Sequence, residues 1–578
     1  AFLIFILSPF FFLLLGASSF YVGAKLARSG NLKIAEKSMV FSKSTSSLVY
    51  KTGFVFTPLS KTALVLEDAS SVSLRALRVA ELSRQFVENI LTDTAYDPLV
   101  YSKKIALELD VLYKDSGFLQ SEIGEGEGFL ARNLMKVFNN LGLSELRDKL
   151  LLAKRVVEEM PEILGTEEKK EYLVLFQNNM ELRPTGGFIG SFALLTFDKG
   201  KLSDVRVQDV YSADGQLKGH VEPPEAIKDY LGEANWFLRD SNWDPDFPTS
   251  ATRAEWFLEK EIDQSVDGVV GIDLILAREL LKEVGPIYLS DFEQELNSQN
   301  LYEITQHEVE KDFFPGSYKK TNFLTALARE LLNQLMETGS SNYLALSKVF
   351  YKSLEEKHIQ VFLHNREAQR AISSLGWEGA VYQPKCSDNC FADWLGMVEA
   401  NVGVNKANYF IERNANLSVR FEDGLVKKQL TIFLKNKANP ALGTQGRYKT
   451  YLRILAPQAA RFQDIEIISA GNRDILIPEI NEISGRKEAG VVVEVGPGQT
   501  KSVTFSWENG FNPNFNLPGE YRLFWRKQAG TDSDPIIVKY FFPEGTSVAG
   551  SPSFSLTQEA VVGYNTNLAR DFTSRVFW

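Results

Sequence analysis

The sequence predicts a multidomain chain built from one transmembrane helix, a helical stalk or bundle, an α/β domain with helices on both faces of its sheet, and a C-terminal antiparallel β-sandwich. Three observations predict it. No charged residue occurs from Ala1 to Ala24, apolar positions then recur three and four apart as far as residue 165, and beyond Asn408 the apolar period becomes two. The corresponding divisions are 1–24, 25–165, 166–400 and 401–578. A length of 578 residues calls for about two to four cores. With 44% hydrophobic and 24% charged residues, the composition is that of folded protein and not of a disordered tail.

The first element opens FLIFILSPFFFLLLG. Residues 2–23 supply the roughly 20 apolar residues needed to cross about 30 Å of hydrocarbon. Pro9 bends such a helix without preventing its insertion. The rival reading is a secretory signal peptide cut within the small residues GASS, but the apolar core of a signal is only about 7–15 residues, so the length favours an anchor. Lys25, Arg28 and Lys33 follow the span, and the positive-inside rule alone would hold them in the cytoplasm. Long domains translocate largely regardless of local charge. The chain begins at Ala and not Met, so further flanking residues are expected before it. The expectation is a single-pass protein of the cell membrane with its bulk outside the cytoplasm.

The second element reads as helices: apolar positions recur three and four apart, as in Leu74 and Leu77, then Val79, Leu82, Phe86 and Ile90, and LVYSKKIALELDVLYKD and LSELRDKLLLAKRVVEEM are further helical runs. At Glu171 the pattern changes. YLVLFQ, FIGSFALLTF and SDVRVQDVYS read as three strands, followed by helix-like SATRAEWFLEKEI, strand-like DGVVGID and helix-like LILARELLKEVG. Strands interleaved with helices indicate an α/β sheet. The last element alternates apolar and polar residues in LSVRF, KKQLTIFLK, TYLRIL, GVVVEV, KSVTFSW and EYRLFWRK, with Gly-Pro turns between them.

The net charge of -11 excludes a phosphate-backbone ligand, because nucleic-acid binding needs clustered Lys and Arg and only pairs occur here. Cys386 and Cys390 cannot close a structural zinc site alone, which needs four ligands. In an oxidising compartment they read as a disulfide pinning a surface loop. No Gly-rich phosphate loop, HExxH or GxSxG motif occurs.

Three loops carry candidate ligand chemistry. The first, NNMELRPTGGFIGS, places Asn178, Asn179, Glu181 and Arg183 at the carboxyl end of the first strand, where ligands of open α/β sheets gather. Arg183 offers a planar fork for phosphate or carboxylate, and Gly186 and Gly187 let backbone approach a ligand. A tight turn with Arg183 paired to Glu181 is the structural alternative. The second, WFLRDSNWDPDFPTSA, crowds Arg239, Asp240, Asp244 and Asp246 before a helix. They read either as capping and dipole partners or as weak carboxylate candidates for a divalent cation. The third sets Lys319 and Lys320 before a helix, where they matter only if they converge with Arg183 and Arg239.

The stretches NNMELRPTGGFIGS, VYSADGQL, RDSNWDPDFPTSA, ANVGVNKANYF and YRLFWRKQAG resemble the bacterial envelope family known as domain of unknown function 4012. The order of strands and helices from YLVLFQ to ELLKEVGPI more distantly resembles the LytR-CpsA-Psr transferases. That likeness implies their sheet and an activity moving glycopolymer from a polyprenyl-diphosphate carrier to the cell wall. This chain departs from their pattern. Gly190-Ser191 stands where they carry an Asp, Gln208-Asp209 where they carry an Arg, and Lys319-Lys320 where they carry paired arginines.

Two functions are therefore expected. In the first, the chain is structural or binding, with wall glycan, polyprenyl lipid or a surface-assembly partner as ligand, a homo-oligomer as one form of that assembly, and no cofactor. In the second it is a transferase that needs Mg²⁺, using Arg183, Arg239 and Lys320 on phosphate and Asp240 or Asp246 on metal.

Overall fold

The computed structural model describes residues 2–52, 57–91, 96–124, 143–310, 318–337, 342–382, 384–386, 389–443, 446–483, 485–558 and 561–578. Helix α1 (Phe2–Arg28) packs antiparallel along α2 (Leu32–Thr52). Gly16 lies against Thr45 and Ser46, and Gly23 against Ser38 and Met39, so the missing side chains let the two backbones approach. Ser19 Oγ donates to the Ser38 carbonyl at 2.8 Å. Within α1, Ser8–Arg28 is long and apolar enough to cross a membrane, a property that a signal sequence shares. Its sides away from α2 keep Phe11, Leu14 and Tyr21 exposed.

The bundle continues through α3 (Thr57–Leu91), α4 (Pro98–Gly124) and the helix Leu143–Ile163. Its lower end buries Phe86, Ile105, Leu109 and Leu164 together, with Phe197 of the next domain packed against them. Tyr96 donates to the Gly200 carbonyl and thereby ties the bundle to a strand turn of that domain.

The α/β domain is a five-stranded sheet. Strands β1 (Lys170–Asn178), β2 (Phe188–Asp198) and β3 (Lys201–Asp209) form an antiparallel meander with β1 innermost. Strand β4 (Gly268–Asp273) lies parallel to β1 and pairs antiparallel with Ile359–Leu363. Leu173, Leu175, Phe192, Leu194 and Val269 face the helix Phe247–Ile262 on one side. Val270, Ile272 and Ile359 face the helices Leu274–Val284 and Tyr318–Glu337 on the other. Helices thus cover both faces. The expected third strand is shorter than SDVRVQDVYS, because Asp209 accepts from the Tyr211 and Ser212 N–H groups and starts a one-turn helix.

Ile287–Leu289 and Gln294–Leu296 pair as a small two-stranded sheet, and the other strands form a nine-stranded and a seven-stranded sheet sharing one core. Leu425–Asn436 sits centrally in the first, between Ile411–Glu422 and Thr500–Gly510. Cys390–Asn401 sits centrally in the second, between Tyr448–Pro457 and Glu520–Arg526. The structure corrects one expectation here. The sheets are not purely antiparallel, because Glu520–Arg526 runs parallel to Cys390–Asn401 and Asp534–Phe541 parallel to Ile411–Glu422. In both cases the chain passes through other strands before it returns, which is the crossover that parallel pairing requires. The strand Cys390–Asn401 belongs to the seven-stranded sheet. Nine successive residues of that strand are buried, so it lacks the alternation by which its neighbours are recognised.

A buried seam as the candidate functional site

The loop after β1 is folded back on itself. Gly186 has φ +143°, and a Cβ on Gly187 would lie 2.3 Å from the Asn178 carbonyl oxygen. What these glycines let the backbone approach is therefore the chain's own β1 end. Their N–H groups are taken, Gly186 by the Arg183 carbonyl at 3.0 Å and Gly187 by Gln177 Oε1 at 3.3 Å. Asn242 donates to the same Gln177 oxygen at 2.7 Å and to the Gly187 carbonyl at 2.8 Å, which pins the first loop to the second.

Arg183 and Arg239 converge on one carboxylate. Arg183 Nε lies 3.5 Å from one oxygen of Asp240 and Arg239 Nε 3.5 Å from the other. Arg183 also reaches Glu181 at 3.1 Å and the Asn401 carbonyl at 2.6 Å. Arg239 reaches Asp214 at 2.8 Å and Glu233 at 2.9 Å. Burial raises the Asp240 carboxyl against the pull of both arginines. Burial likewise works against the Arg239 charge, but Asp240, Asp214 and Glu233 outweigh it and hold the guanidinium above its ordinary value. Beyond Asp214 lies Glu261, which accepts the Leu238 N–H at 3.1 Å. The two guanidiniums thus sit among five carboxylates, and acids already occupy the forks that a diphosphate would need.

The two-sheet unit covers this network. Asn401 N–H donates to the Leu182 carbonyl at 2.8 Å and Leu182 N–H to Asn408 Oδ1 at 3.1 Å. Gln528 Nε2 donates to the Arg183 carbonyl at 3.2 Å, and Asn179 Nδ2 to the Gly530 carbonyl at 3.0 Å. Arg526 gives hydrogen bonds of 2.7 Å to the Pro245 and Gly379 carbonyls, and Arg453 one of 3.2 Å to the Trp243 carbonyl. Trp243, Ile227, Val402 and Tyr451 supply an apolar patch in the same seam.

The other candidates are placed as follows. Asp246 caps the helix Phe247–Ile262 through Thr249 and accepts the Val381 N–H at 2.8 Å with its second oxygen. Asp244 pairs with Arg486 at 2.8 Å. Asp240, Asp244 and Asp246 therefore point to separate partners, and no group of three or more metal-type side chains occurs among the described residues. Lys319 and Lys320 stand in the first turn of the helix Tyr318–Glu337, and their side chains lie outside the described residues. Cys386 and Cys390 form a disulfide.

The first two loops lie within one matched segment: residues 167–309 match the family described as protein of unknown function, DUF4012. The chain carries a DUF4012 segment. No curated protein matches the chain. Among solved structures, a putative nutrient binding protein from Legionella pneumophila shares 8% identity over 32% of this chain and 70% of its own, at a TM-score of 0.23. Yeast LTA4 hydrolase in complex with bestatin shares 11% over 29% of each chain, at 0.19. An M1 zinc metallopeptidase from Deinococcus radiodurans shares 10% over 29% of this chain and 41% of its own, at 0.15. Likenesses at these scores carry no argument about fold or chemistry.

The DUF4012 segment thus contributes one half of the seam, and the other half draws on the stretches ANVGVNKANYF and YRLFWRKQAG, whose pairing with these loops no sequence pattern indicated. Arg453 and Arg486, each at most 4% exposed, lie in the strands Tyr448–Pro457 and Arg486–Val495 outside those stretches and carry no motif. Two open clefts among the described residues lie elsewhere. One of about 600 Å³ opens in the bundle beside Lys43, Asp68, Arg75 and Asp115, and one of about 420 Å³ beside Arg206, Gln208, Arg329 and Asn333 at the β3 edge.

Proposed function

We propose that the chain is a membrane-anchored protein of the cell envelope whose domains work outside the cytoplasm by binding or by holding structure. Wall glycan or a surface-assembly partner, including a second copy, is the ligand class. In this reading the five-stranded sheet is a LytR-CpsA-Psr-like sheet without its catalytic positions, and the two-sheet unit is a β-sandwich. One observation carries the proposal: Arg183 and Arg239, the two arginines best placed to hold a diphosphate, are tied to Asp240, Glu181, Asp214 and Glu233 beneath the two-sheet unit. The apolar helix α1 and the Cys386–Cys390 disulfide support the location, since disulfides persist in oxidising compartments.

The test has two arms. Membrane fractions of cells producing the full chain are extracted with alkaline carbonate and probed with external protease. The chain is expected to stay with the lipid, to keep its first 23 residues, and to be cut from outside. Detergent-solubilised chain is then incubated with polyprenyl-diphosphate-linked glycopolymer and peptidoglycan. Retention without transfer is expected, and transfer that is lost on Arg183→Ala would overturn the proposal.

The convergence of Arg183 and Arg239 on one carboxylate favours a second reading, an envelope transferase acting on polyprenyl-diphosphate-linked glycopolymer with Mg²⁺. It requires the seam to open before phosphate can reach either arginine. Mg²⁺-dependent transfer in the same assay would establish it.

A further inference from the structure

In the core between the two sheets, three polar side chains meet among aromatic and aliphatic ones. Lys428, on the strand Leu425–Asn436, and Asp393, on Cys390–Asn401, have side chains only 1% exposed. Asn509, on Thr500–Gly510, is 2% exposed. Lys428 Nζ lies 2.7 Å from Asp393 Oδ2 and 2.5 Å from Asn509 Oδ1. Tyr521 OH donates to the same Asp393 oxygen at 2.6 Å, and the Trp394 N–H to the other at 2.9 Å. Phe391 and Trp507 wall the amine, with ring centroids 5.4 and 5.6 Å from Nζ. Lys428 and Asn509 belong to adjacent antiparallel strands, two register positions apart, since Lys428 pairs with Trp507 and Val426 with Asn509. Their side chains therefore emerge on one face, toward Asp393 in the opposite sheet.

We propose that Lys428 and Asn509 become joined by an amide bond between Nζ and Cγ, formed in the folded protein with Asp393 as the proton-transfer group. An amine held against a carboxamide in a dry core has what acyl transfer needs. The carboxamide carbon is at most one carbonyl bond, about 1.2 Å, beyond the oxygen that Nζ touches. Productive attack needs about 3–3.5 Å, and fixing both groups on paired strands replaces a bimolecular encounter with a local one. Burial pushes the Lys428 amine down from its ordinary value, with Asp393 pulling the other way, so the neutral nucleophile is accessible.

The step balances. The Lys428 ammonium passes one proton to Asp393, and the free amine attacks Cγ. The protonated Asp393 hydrogen-bonds the oxygen as negative charge develops there. Collapse breaks the Cγ–Nδ2 bond, and the nitrogen leaves as ammonium, carrying the proton that Asp393 held and the second proton of the Lys428 amine. Asp393 returns to its carboxylate, and neither oxidant nor cofactor is consumed. The product pins two central strands of the nine-stranded sheet and closes a loop of 81 residues.

Mass spectrometry of the full chain, reduced and denatured, tests this. The expected mass is one ammonia below that of the sequence. Trypsin is expected to leave Lys428 uncut and to yield one branched peptide joining Lys428–Lys435 to Ser502–Arg522. Asp393→Ala is expected to restore the full mass and both separate peptides. The wild-type digest decides the matter even if that variant folds poorly. Two separate wild-type peptides would overturn the proposal. So would ammonia loss confined to Ser502–Arg522, because Asn509-Gly510 can cyclise on its own backbone. A branched peptide that persists in Asp393→Ala would overturn the role given to Asp393.

Discussion

Gly530 sits so close to Gly186 that a Cβ added to it would lie 1.8 Å from the Gly186 carbonyl oxygen. The two glycines are where the two-sheet unit meets the loop after β1, and a parallel bridge between Thr185 and Ala529 lies alongside. Gly530 also has φ +79°, a left-handed conformation that costs a side-chain-bearing residue about 1–3 kcal/mol. Both effects act on Gly530→Ala. Calorimetry should show a lower Tm for the two-sheet unit than in wild type, because backbone and not a pliable side chain must move. An unchanged thermogram would mean that this contact does not couple the units.

The kinds and order of elements were legible because each has a period. The bundle helices repeat at three and four, and Leu425–Asn436 at two. The candidate loops were legible as unusual runs of Arg, Asp, Asn and Gly. Their pairing with distant stretches was not: Arg183 bonds the Asn401 carbonyl 218 positions away, and Asn179 the Gly530 carbonyl 351 positions away. A strand end read alone as open toward a ligand is here covered by its own chain. The core triad did leave a mark. Lys428 has the same parity as Val426, Leu430 and Ile432, and Asn509 the same as Val503, Phe505 and Trp507, so each is a polar residue on an inward apolar stripe. Asp393 left none, since its strand does not alternate.

Removing Arg183 should cost more than removing a ligand-binding arginine would. Arg183→Ala leaves Glu181 and Asp240 buried and the Asn401 carbonyl without this donor. Breaking a buried pair by deleting one partner costs about 3–5 kcal/mol. Chemical denaturation should show a loss of that order, and limited proteolysis should cut between the α/β and two-sheet units. Arg183→Lys should recover little, because an ammonium cannot serve Glu181, Asp240 and the carbonyl from one planar fork. A variant as stable as wild type would return Arg183 to the pool of ligand-binding candidates.

Asp246→Ala separates a capping role from a metal-binding one. Asp246 holds the start of the helix Phe247–Ile262 and the Val381 N–H at once. Loss of an N-cap costs about 0.5–2 kcal/mol. The fall in Tm should be the same with Mg²⁺ or with chelator present, whereas a Tm that Mg²⁺ raises in wild type but not in the variant would contradict the capping account.

The acid pair behind Arg239 predicts how stability follows pH. Asp214 Oδ1 and Glu261 Oε2 are buried without other hydrogen-bond partners, and one proton shared between them satisfies both. Burial pushes Glu261 up to about 8, with Asp214 adding to the shift. Burial also pushes Asp214 up to about 7 against the pull of Arg239. Both groups hold a proton more tightly folded than unfolded. The stability this proton supplies is complete below the unfolded values of 4.5 and 3.8 and is lost as pH rises through about 7 to 8. Lys357, which burial pushes down to about 8 despite Asp571, works in the opposite sense at the alkaline end. It is present in wild type and in Glu261→Gln alike and cancels between them. The Tm of wild type should therefore fall more steeply from about pH 6 to about pH 9 than that of Glu261→Gln, whose amide donates permanently to Asp214. Parallel curves for the two proteins would mean that no proton is shared there.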